Sequence, residues 1–260
     1  MMIISSKENN IVKKITKLNK SSKFRKDEKI FIAEGLRLVE DAVLSDSCID
    51  FFVFSQSATE KYKDFYEDIC RKFNNIYVFS DSLFSYISET KSPQGVLACI
   101  KILDKNILFD KISNGGKYLA LENMQDPGNL GTVFRTAEAL GISGVILTAD
   151  CCDVYSPKVV RSTMGAIFRI PFIVVNSISD FLSENKNLTS YAAIVSNDAQ
   201  QISDIKFENP SVCIIGNEGN GLKKETIDIC DNKITIPMDG RAESLNASIA
   251  AGIIMWEMIK

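Results

Sequence analysis

The sequence predicts an α/β protein of two domains, a small α/β domain followed by a larger one built on a mostly parallel sheet. Apolar residues make up 45% and charged residues 24% of the 260 residues, as in an ordinary globular protein. Short β-rich runs alternate with helical patterns along the chain. The length is also sufficient for two separate hydrophobic cores.

The front part of the chain shows four β-rich runs separated by helical patterns. The runs lie at residues 29–33, 49–54, 76–79 and 95–100. The first predicted helix carries Ile11, Val12, Ile15 and Leu18 at helical spacing, so its lysines fall on the opposite face. The pattern weakens between residues 101 and 117 and ends in Ser-Asn-Gly-Gly, which suits a linker. We therefore predict domains at 1–105 and 106–260.

The second half predicts a parallel sheet covered by helices on both sides. Short strands, apolar on both faces, are predicted near residues 118–122, 144–147, 170–174, 192–195, 212–215 and 233–236. Helices are predicted to begin near Gly128, Ser156, Ser177, Leu222 and Ser244. In such sheets, ligands bind at the carboxyl ends of the strands.

The composition excludes several classes of chemistry. The seven cysteines, an odd number, form no Cys-x-x-Cys pair, and histidine is absent, which argues against a disulfide framework, a zinc site and any Ser-His or Cys-His catalyst. The first residues are polar, and no apolar run approaches the ~20 residues that cross a bilayer. We expect a soluble, cytoplasmic protein with neither a metal nor a membrane partner.

The basic residues are concentrated near the N-terminus. The net charge of −3 argues mildly against binding a polyanion, but residues 7–29 carry nine basic and only three acidic side chains. A nucleic-acid backbone would attract such a segment. A solvated helix face explains the segment equally well when it is taken alone.

A first loop follows the predicted strand at 118–122. An Asp-Pro-Gly-Asn turn leads into a helix whose first turns present Asn129 and Arg135. A guanidinium on a rigid helix is suited to holding a phosphate. A simple cap at Asn129 and a surface ion pair at Arg135 are equally good interpretations.

A second loop follows the predicted strand at 212–215. Glycines at 216, 219 and 221 let the backbone approach a ligand, and Glu218 at the sheet edge could meet a ribose or an amino group. The loop is not a phosphate-binding P-loop, because Leu222 stands where the lysine belongs.

A third loop precedes the C-terminal helix. Ser244 is the predicted N-cap, whereas no structural need explains an asparagine at 246. The helix carries apolar residues three or four positions apart, which we assign to core packing: Ile249, Ile253, Trp256 and Ile259.

Taken in this order, the three loops resemble the motifs of the SpoU (TrmH-type) RNA 2′-O-ribose methyltransferases of the SPOUT superfamily, over roughly residues 117–260. The segments at 31–35 and 92–96 look like the RNA-binding domain often attached to this family, which is similar to a ribosomal-protein fold. The resemblance implies an α/β-knot domain with a deep trefoil knot, a rare exception among folds. It also implies S-adenosylmethionine as cofactor and a homodimer formed through the knotted domain.

The resemblance implies a role for each motif residue. Arg135 would engage the target phosphate and help to deprotonate the ribose hydroxyl, although a guanidinium is a poor base and could instead serve as an anchor. Asn129, Glu218, Ser244 and Asn246 would position the nucleotide. The cofactor would be held by Gly216, Asn217, Gly219, Ile236, Met238, Leu245 and Asn246. From the basic N-terminal segment we further expect Lys13, Lys14, Lys17 and Arg25 to bind RNA, together with Arg135.

The sequence indicates the RNA target less clearly than it indicates the reaction. A ribosomal-protein-like front domain favours 23S ribosomal RNA over transfer RNA, and neither the nucleotide nor a role in antibiotic resistance follows from the sequence. The alternatives are the same enzyme acting on transfer RNA and a catalytically silent RNA-binding relic. Methylation of a base instead of a ribose fits the motifs less well.

Overall fold

The computed structural model describes residues 3–103 and 115–260. The chain divides into two compact units. Of the described residues, the first unit contains residues 3–103 together with Tyr155–Phe168, and the second contains residues 115–154 together with Arg169–Lys260. The predicted domain boundary near residue 106 lies outside the described residues.

The first unit is built on a five-stranded mixed sheet in the order β1-β4-β3-β5-β2. The strands are β1 Ile3–Ile4, β2 Ile30–Glu34, β3 Ile49–Ser55, β4 Ile76–Phe79 and β5 Val96–Lys101. β5 runs antiparallel to both β2 and β3, whereas β4 pairs in parallel with β1 and β3. The four predicted strands are confirmed. β1 was not predicted, because two residues leave no periodic pattern.

Helices pack around this sheet. They are α1 Asn10–Lys20, α2 Ser22–Glu28, α3 Leu36–Leu44, α4 Gln56–Lys61, α5 Lys63–Lys72 and α6 Asp81–Ile87. The predicted apolar face of α1 is confirmed, since Val12, Ile15 and Leu18 are buried in the core. The lysines of α1 therefore lie on its outer side.

Arg25 does not lie on that basic surface. Its side chain is 4% exposed, and its guanidinium donates to the backbone carbonyls of Leu18 and Asn19 near the C-terminus of α1. A cation is favourable there because the last carbonyls of a helix carry partial negative charge. The expectation that Arg25 contacts RNA is wrong: Arg25 joins α1 to α2.

Two helices from the middle of the chain complete the first unit. They are α8 Pro157–Ser162 and α9 Ala166–Arg169, of which the unit includes residues up to Phe168. The Tyr155 and Phe168 rings pack against Phe31 of β2, with ring centres 4.8 Å and 6.2 Å away. The compact units thus do not follow a single cut along the chain.

The second unit contains a seven-stranded sheet in the order β10-β12-β9-β11-β6-β7-β8, in which every neighbouring pair is parallel. The strands are β6 Lys117–Leu121, β7 Gly144–Thr148, β8 Phe172–Val175, β9 Thr189–Ala193, β10 Gln200–Gln201, β11 Ser211–Ile215 and β12 Asn232–Thr235. The predicted parallel sheet is confirmed. β9 begins three residues before its predicted position, and the two-residue β10 was not predicted.

Four helices belong to this sheet: α7 Pro127–Ala139, α10 Ile178–Glu184, α11 Lys224–Ile229 and α12 Ala247–Ile259. Because β6, β9, β11 and β12 are parallel neighbours, their carboxyl ends meet at one edge. The loops that follow β6, β11 and β12 are the three motif loops. The sheet topology brings them together.

The C-terminal helix α12 corrects one prediction. Its inner face buries Ala251, Ile254, Met255 and Met258, whereas the four residues assigned to core packing are exposed. These are Ile249, Ile253, Trp256 and Ile259. Since α12 is apolar on two opposite sides, spacing alone could not tell which side faces the core.

Among the described residues, none of the helices combines the length and apolar character needed to cross a bilayer. The same residues contain no group of three or more Cys, Asp or Glu side chains placed to hold a metal ion.

Candidate functional site

Two of the three motif loops of the second unit, those after β11 and β12, line a cavity of about 470 Å³. This volume lies within the range of pockets that bind small molecules. The first loop contributes no residue to this lining and is hydrogen-bonded to the second loop beside it. The wall is largely apolar, and its polar groups lie mainly on the glycine-rich loop that follows β11. Of the predicted site residues, these line it: Gly216, Asn217, Glu218, Gly219, Ile236, Met238, Ser244 and Leu245.

The glycine loop after β11 closes on itself in a tight turn. Asn217 and Gly221 exchange two backbone hydrogen bonds of 3.0 Å and 2.9 Å. A Cβ atom on Gly216 would lie 2.2 Å from the backbone carbon of Gly221. Gly221 itself has a φ of +67°, a conformation that glycine adopts without strain. The turn therefore requires glycine at both positions.

A buried carboxylate ties this loop to the end of β6. Glu122, 2% exposed, follows β6 and accepts a 2.7 Å hydrogen bond from the backbone N–H of Lys223 and a 2.6 Å bond from the Thr226 hydroxyl. Both donors lie at the start of α11, directly after the glycine loop. Because a buried carboxylate without partners is costly, these bonds hold the two loops together.

Two further side chains join the same loops. Asn217 donates from Nδ2 to the backbone carbonyl of Asn123 at 2.8 Å. The Glu218 carboxylate accepts backbone N–H groups of Gln125 and Asp126, each at 3.2 Å. The first two motif loops thus form one hydrogen-bonded unit.

Three motif side chains form a hydrogen-bonded chain that links all three loops. Asn246 Nδ2 donates to Asn129 Oδ1 at 3.0 Å, and Asn129 Nδ2 donates to Glu218 Oε1 at 3.1 Å. Residues 89 and 117 positions apart in sequence are therefore in direct contact.

The surroundings of Glu218 favour its charged form. Partial burial raises the pKa of this carboxyl, but the hydrogen bonds from Asn129, Gln125 and Asp126 outweigh burial and leave the pKa below its ordinary value. Glu218 is thus an ionised acceptor at neutral pH. Three N–H donors already occupy it.

Asn246 has a structural role that its sequence position did not indicate. It is the N-cap of α12, and its Oδ1 accepts the Ser248 N–H at 2.9 Å and the Ser248 hydroxyl at 2.7 Å. The predicted N-cap, Ser244, lies two residues earlier and lines the cavity instead. The Asn246 amide therefore caps the helix with its oxygen and contacts Asn129 with its nitrogen.

Arg135 stands apart from this chain of contacts. It lies on α7, its side chain is exposed, and it is not part of the cavity wall. Among the described residues, no carboxylate or hydrogen-bond acceptor pairs with its guanidinium. The surface ion pair considered from the sequence does not form within the described chain, so the guanidinium is available to an external anion.

Several cavity residues were not anticipated from the sequence. Ala193 ends β9, Ile194 and Val195 follow it, and the three complete the apolar wall. Glu243 adds a second carboxylate to the lining. The predicted strand at 192–195 was the available signal, since ligands bind at strand ends in parallel sheets. Nothing in the sequence distinguished Glu122 or Glu243 from surface acids.

The chain matches a known protein family over more than half of its length. The model of the SpoU rRNA Methylase family matches residues 116–256. The chain belongs to this family. The model of the MRM3-like substrate binding domain matches residues 9–98, most of the first unit.

Curated relatives of this SpoU protein match along its length. It is 31% identical over 260 residues to the 23S rRNA (guanosine(2553)-2′-O)-methyltransferase RlmP of Bacillus subtilis, covering 99% of each chain. It is also 31% identical over 188 residues to the 23S rRNA (uridine(2479)-2′-O)-methyltransferase of Streptomyces viridochromogenes, covering 69% of this chain and 65% of the relative.

Two solved methyltransferase structures have the same fold as this chain. The AdoMet-bound rRNA methyltransferase from Sinorhizobium meliloti superposes with a TM-score of 0.88 at 31% identity, covering 99% of this chain and 97% of that one. The SpoU methyltransferase AviRb from Streptomyces viridochromogenes, in complex with AdoMet, gives a TM-score of 0.86 at 25% identity over 97% of both chains.

Gly216→Ala should destabilise the second unit, because the new methyl group would overlap the backbone at Gly221. We expect a loss of at least ~2 kcal/mol in the free energy of unfolding, measured by urea denaturation. Gly240→Ala is the matched control, since a Cβ there meets nothing within 4 Å. Equal stability of the two variants would contradict the close approach described for the loop.

Proposed function

We propose that the chain transfers the methyl group of S-adenosylmethionine to a ribose 2′-hydroxyl of 23S ribosomal RNA. The observation that carries this proposal is one cavity lined by the second and third motif loops, to which the first loop is joined by the contacts of Asn246, Asn129 and Glu218. A curated relative that matches along the whole chain, the RlmP methyltransferase of Bacillus subtilis, is named for this reaction.

The cavity fits the proposed cofactor. It has the size of a small-molecule site, an apolar wall for an adenine, and a glycine turn that brings backbone groups close to a ligand. S-adenosylmethionine supplies a methyl group on a positively charged sulfur. We assign the binding of S-adenosylmethionine to Gly216, Asn217, Gly219, Ile236, Met238 and Leu245. Asn246 lies beside the cavity and acts through its hydrogen bond to Asn129.

We assign Asn129, Glu218, Ser244 and Asn246 to positioning the target nucleotide. Asn129 is held from both sides, by Asn246 at its oxygen and by Glu218 at its nitrogen. Such a pre-positioned polar group lowers the cost of orienting a substrate. Glu218, with three donors in place, acts by orientation instead of taking a proton.

Arg135 is the proposed phosphate anchor. It lies on α7, two turns after the Asp126 N-cap, and its guanidinium has no partner within the described chain. A guanidinium keeps its proton in proteins, so binding a phosphate and stabilising developing charge suit it better than general-base catalysis.

Arg135→Ala should reduce methyl transfer by about 100-fold or more, because a fixed cationic donor is lost. S-adenosylmethionine affinity, measured by calorimetry, should stay unchanged since Arg135 lies outside the cavity. Transfer of labelled methyl groups to 23S RNA is the readout, and Arg71→Ala, which removes another exposed arginine, is the control. A wild-type rate in Arg135→Ala would remove Arg135 from the mechanism.

The first unit offers a basic surface for the RNA. Lys13, Lys17 and Lys20 are exposed and spaced four and three residues apart, so they share one face of α1. Lys13 pairs with Glu8 at 2.6 Å, but both side chains are exposed. Lys14 is half-buried and pairs with Asp50 and Glu28 at 3.3 Å and 3.5 Å, and its burial makes it a weaker candidate. We propose that this lysine face binds RNA phosphates.

Replacing Lys13, Lys17 and Lys20 with glutamine should weaken RNA binding and flatten its salt dependence. Loss of three phosphate contacts lowers the slope of log affinity against log salt by about two to three. Filter binding at several salt concentrations measures this slope. The control replaces Lys61, Lys63 and Lys72 of α4 and α5 with glutamine, which removes the same amount of charge elsewhere on the first unit. If the slope changes equally in this control, the effect comes from net charge alone and the lysine face of α1 is not the RNA-binding surface.

We further propose that the protein is a homodimer joined through the second unit. The outer stripe of α12 exposes Ile249, Ile253, Trp256 and Ile259 to between 36% and 55%. An apolar stripe of this kind on a helix that is already packed on its other side is typical of a protein interface. The knot, a metal-free mechanism and a cytoplasmic location stay predictions from the sequence.

Trp256→Glu should produce a monomer, because the new carboxylate would be buried without a partner in the dimer. Light scattering should show a mass of 28.9 kDa for this variant and twice that value for the wild type. Ile229→Glu, which changes an exposed isoleucine of α11 outside the stripe, should remain dimeric. A dimeric Trp256→Glu protein, or a monomeric wild type, would contradict this interface.

A further inference from the structure

The cavity carries an unbalanced charge. Among the described residues that line it, two have ionisable side chains, Glu218 and Glu243, and both are acids. No lysine or arginine is part of that lining. A ligand in the cavity therefore meets negative charge without a compensating cation from the described wall.

The two carboxylates differ in their partners. Glu218 accepts hydrogen bonds from Asn129, Gln125 and Asp126. Glu243 is exposed at the cavity wall, and within the described chain it has neither a hydrogen-bond donor nor an ion-pair partner. Glu243 is thus free to respond to the charge of whatever occupies the cavity.

The donor and the product of the proposed reaction differ in charge at one atom. S-adenosylmethionine carries a sulfonium, an ammonium and a carboxylate, for a net charge of +1. S-adenosylhomocysteine has the same ammonium and carboxylate but a neutral sulfur. If replacing Glu243 changes the affinities for the two ligands by different factors, the difference therefore arises from the charge on the sulfur.

We propose that Glu243 is a specificity-determining residue that makes the cavity prefer the cationic methyl donor over the neutral product. The inference rests on the function proposed above. Attraction between the carboxylate and the sulfonium stabilises the bound donor, and it disappears once the methyl group has left. The product then dissociates more readily, and fresh donor displaces it.

The size of the effect follows from Coulomb's law. For two opposite charges that share a partly solvated cavity, removing one of them changes relative affinity by roughly three- to tenfold. Because Glu243 is exposed, added salt should reduce this difference.

Calorimetry with three ligands tests the inference. Wild-type protein, Glu243→Gln, Glu243→Asp and Glu243→Lys are titrated with S-adenosylmethionine, S-adenosylhomocysteine and sinefungin, which places a positive amine near the position of the sulfonium. In Glu243→Gln, the preference for the two cationic ligands over S-adenosylhomocysteine should fall by about three- to tenfold. Glu243→Asp should retain most of the preference, and Glu243→Lys should reduce it further.

Glu184→Gln is the matched control, since it removes one exposed carboxylate of α10 outside the cavity wall and should leave the preference unchanged. Equal weakening of all three ligands in Glu243→Gln would reveal a packing role and overturn the inference. An unchanged preference would overturn it as well. If the wild type binds none of the ligands, the proposed function itself fails.

Discussion

The parallel alignment of β6, β11 and β12 with β9 is the constraint on which the site depends. Parallel strands present their carboxyl ends at one edge, so the loops that follow them meet although they are far apart in sequence. The edge alone would leave three mobile loops. Glu122, Asn217 and Glu218 fasten the first two to each other, and Asn246 joins the third through Asn129.

This arrangement gives several residues two tasks each. Asn246 caps α12 and also orients Asn129, so the stability of the helix and the geometry of the site depend on one amide. Glu218 holds two backbone N–H groups of the first loop while its other bond fixes Asn129. A site built from such shared contacts is pre-organised before any substrate arrives, which is where much of the catalytic advantage of an enzyme lies.

Two surfaces remain available for partners, one on each unit. The lysine face of α1 offers positive charge, and the outer stripe of α12 offers apolar area. The two surfaces have different chemistries: positive charge suits the polyanion proposed above, and apolar area suits the proposed protein interface. The overall charge of −3 conceals the first, because acidic residues elsewhere balance the basic segment.

By itself, the sequence determined the α/β class, most strands to within a few residues, and the motif residues, because hydrophobic periodicity and glycine-rich turns are local signals. The tertiary structure decided the features that depend on contacts between distant segments. It decided that Arg25 is buried, since its partners lie six and seven residues away on another helix. It also decided which side of α12 faces the core, that Asn246 is the N-cap, and that Glu122 and Glu243 belong to the site. Each of these depends on contacts between segments that only the folded chain brings together.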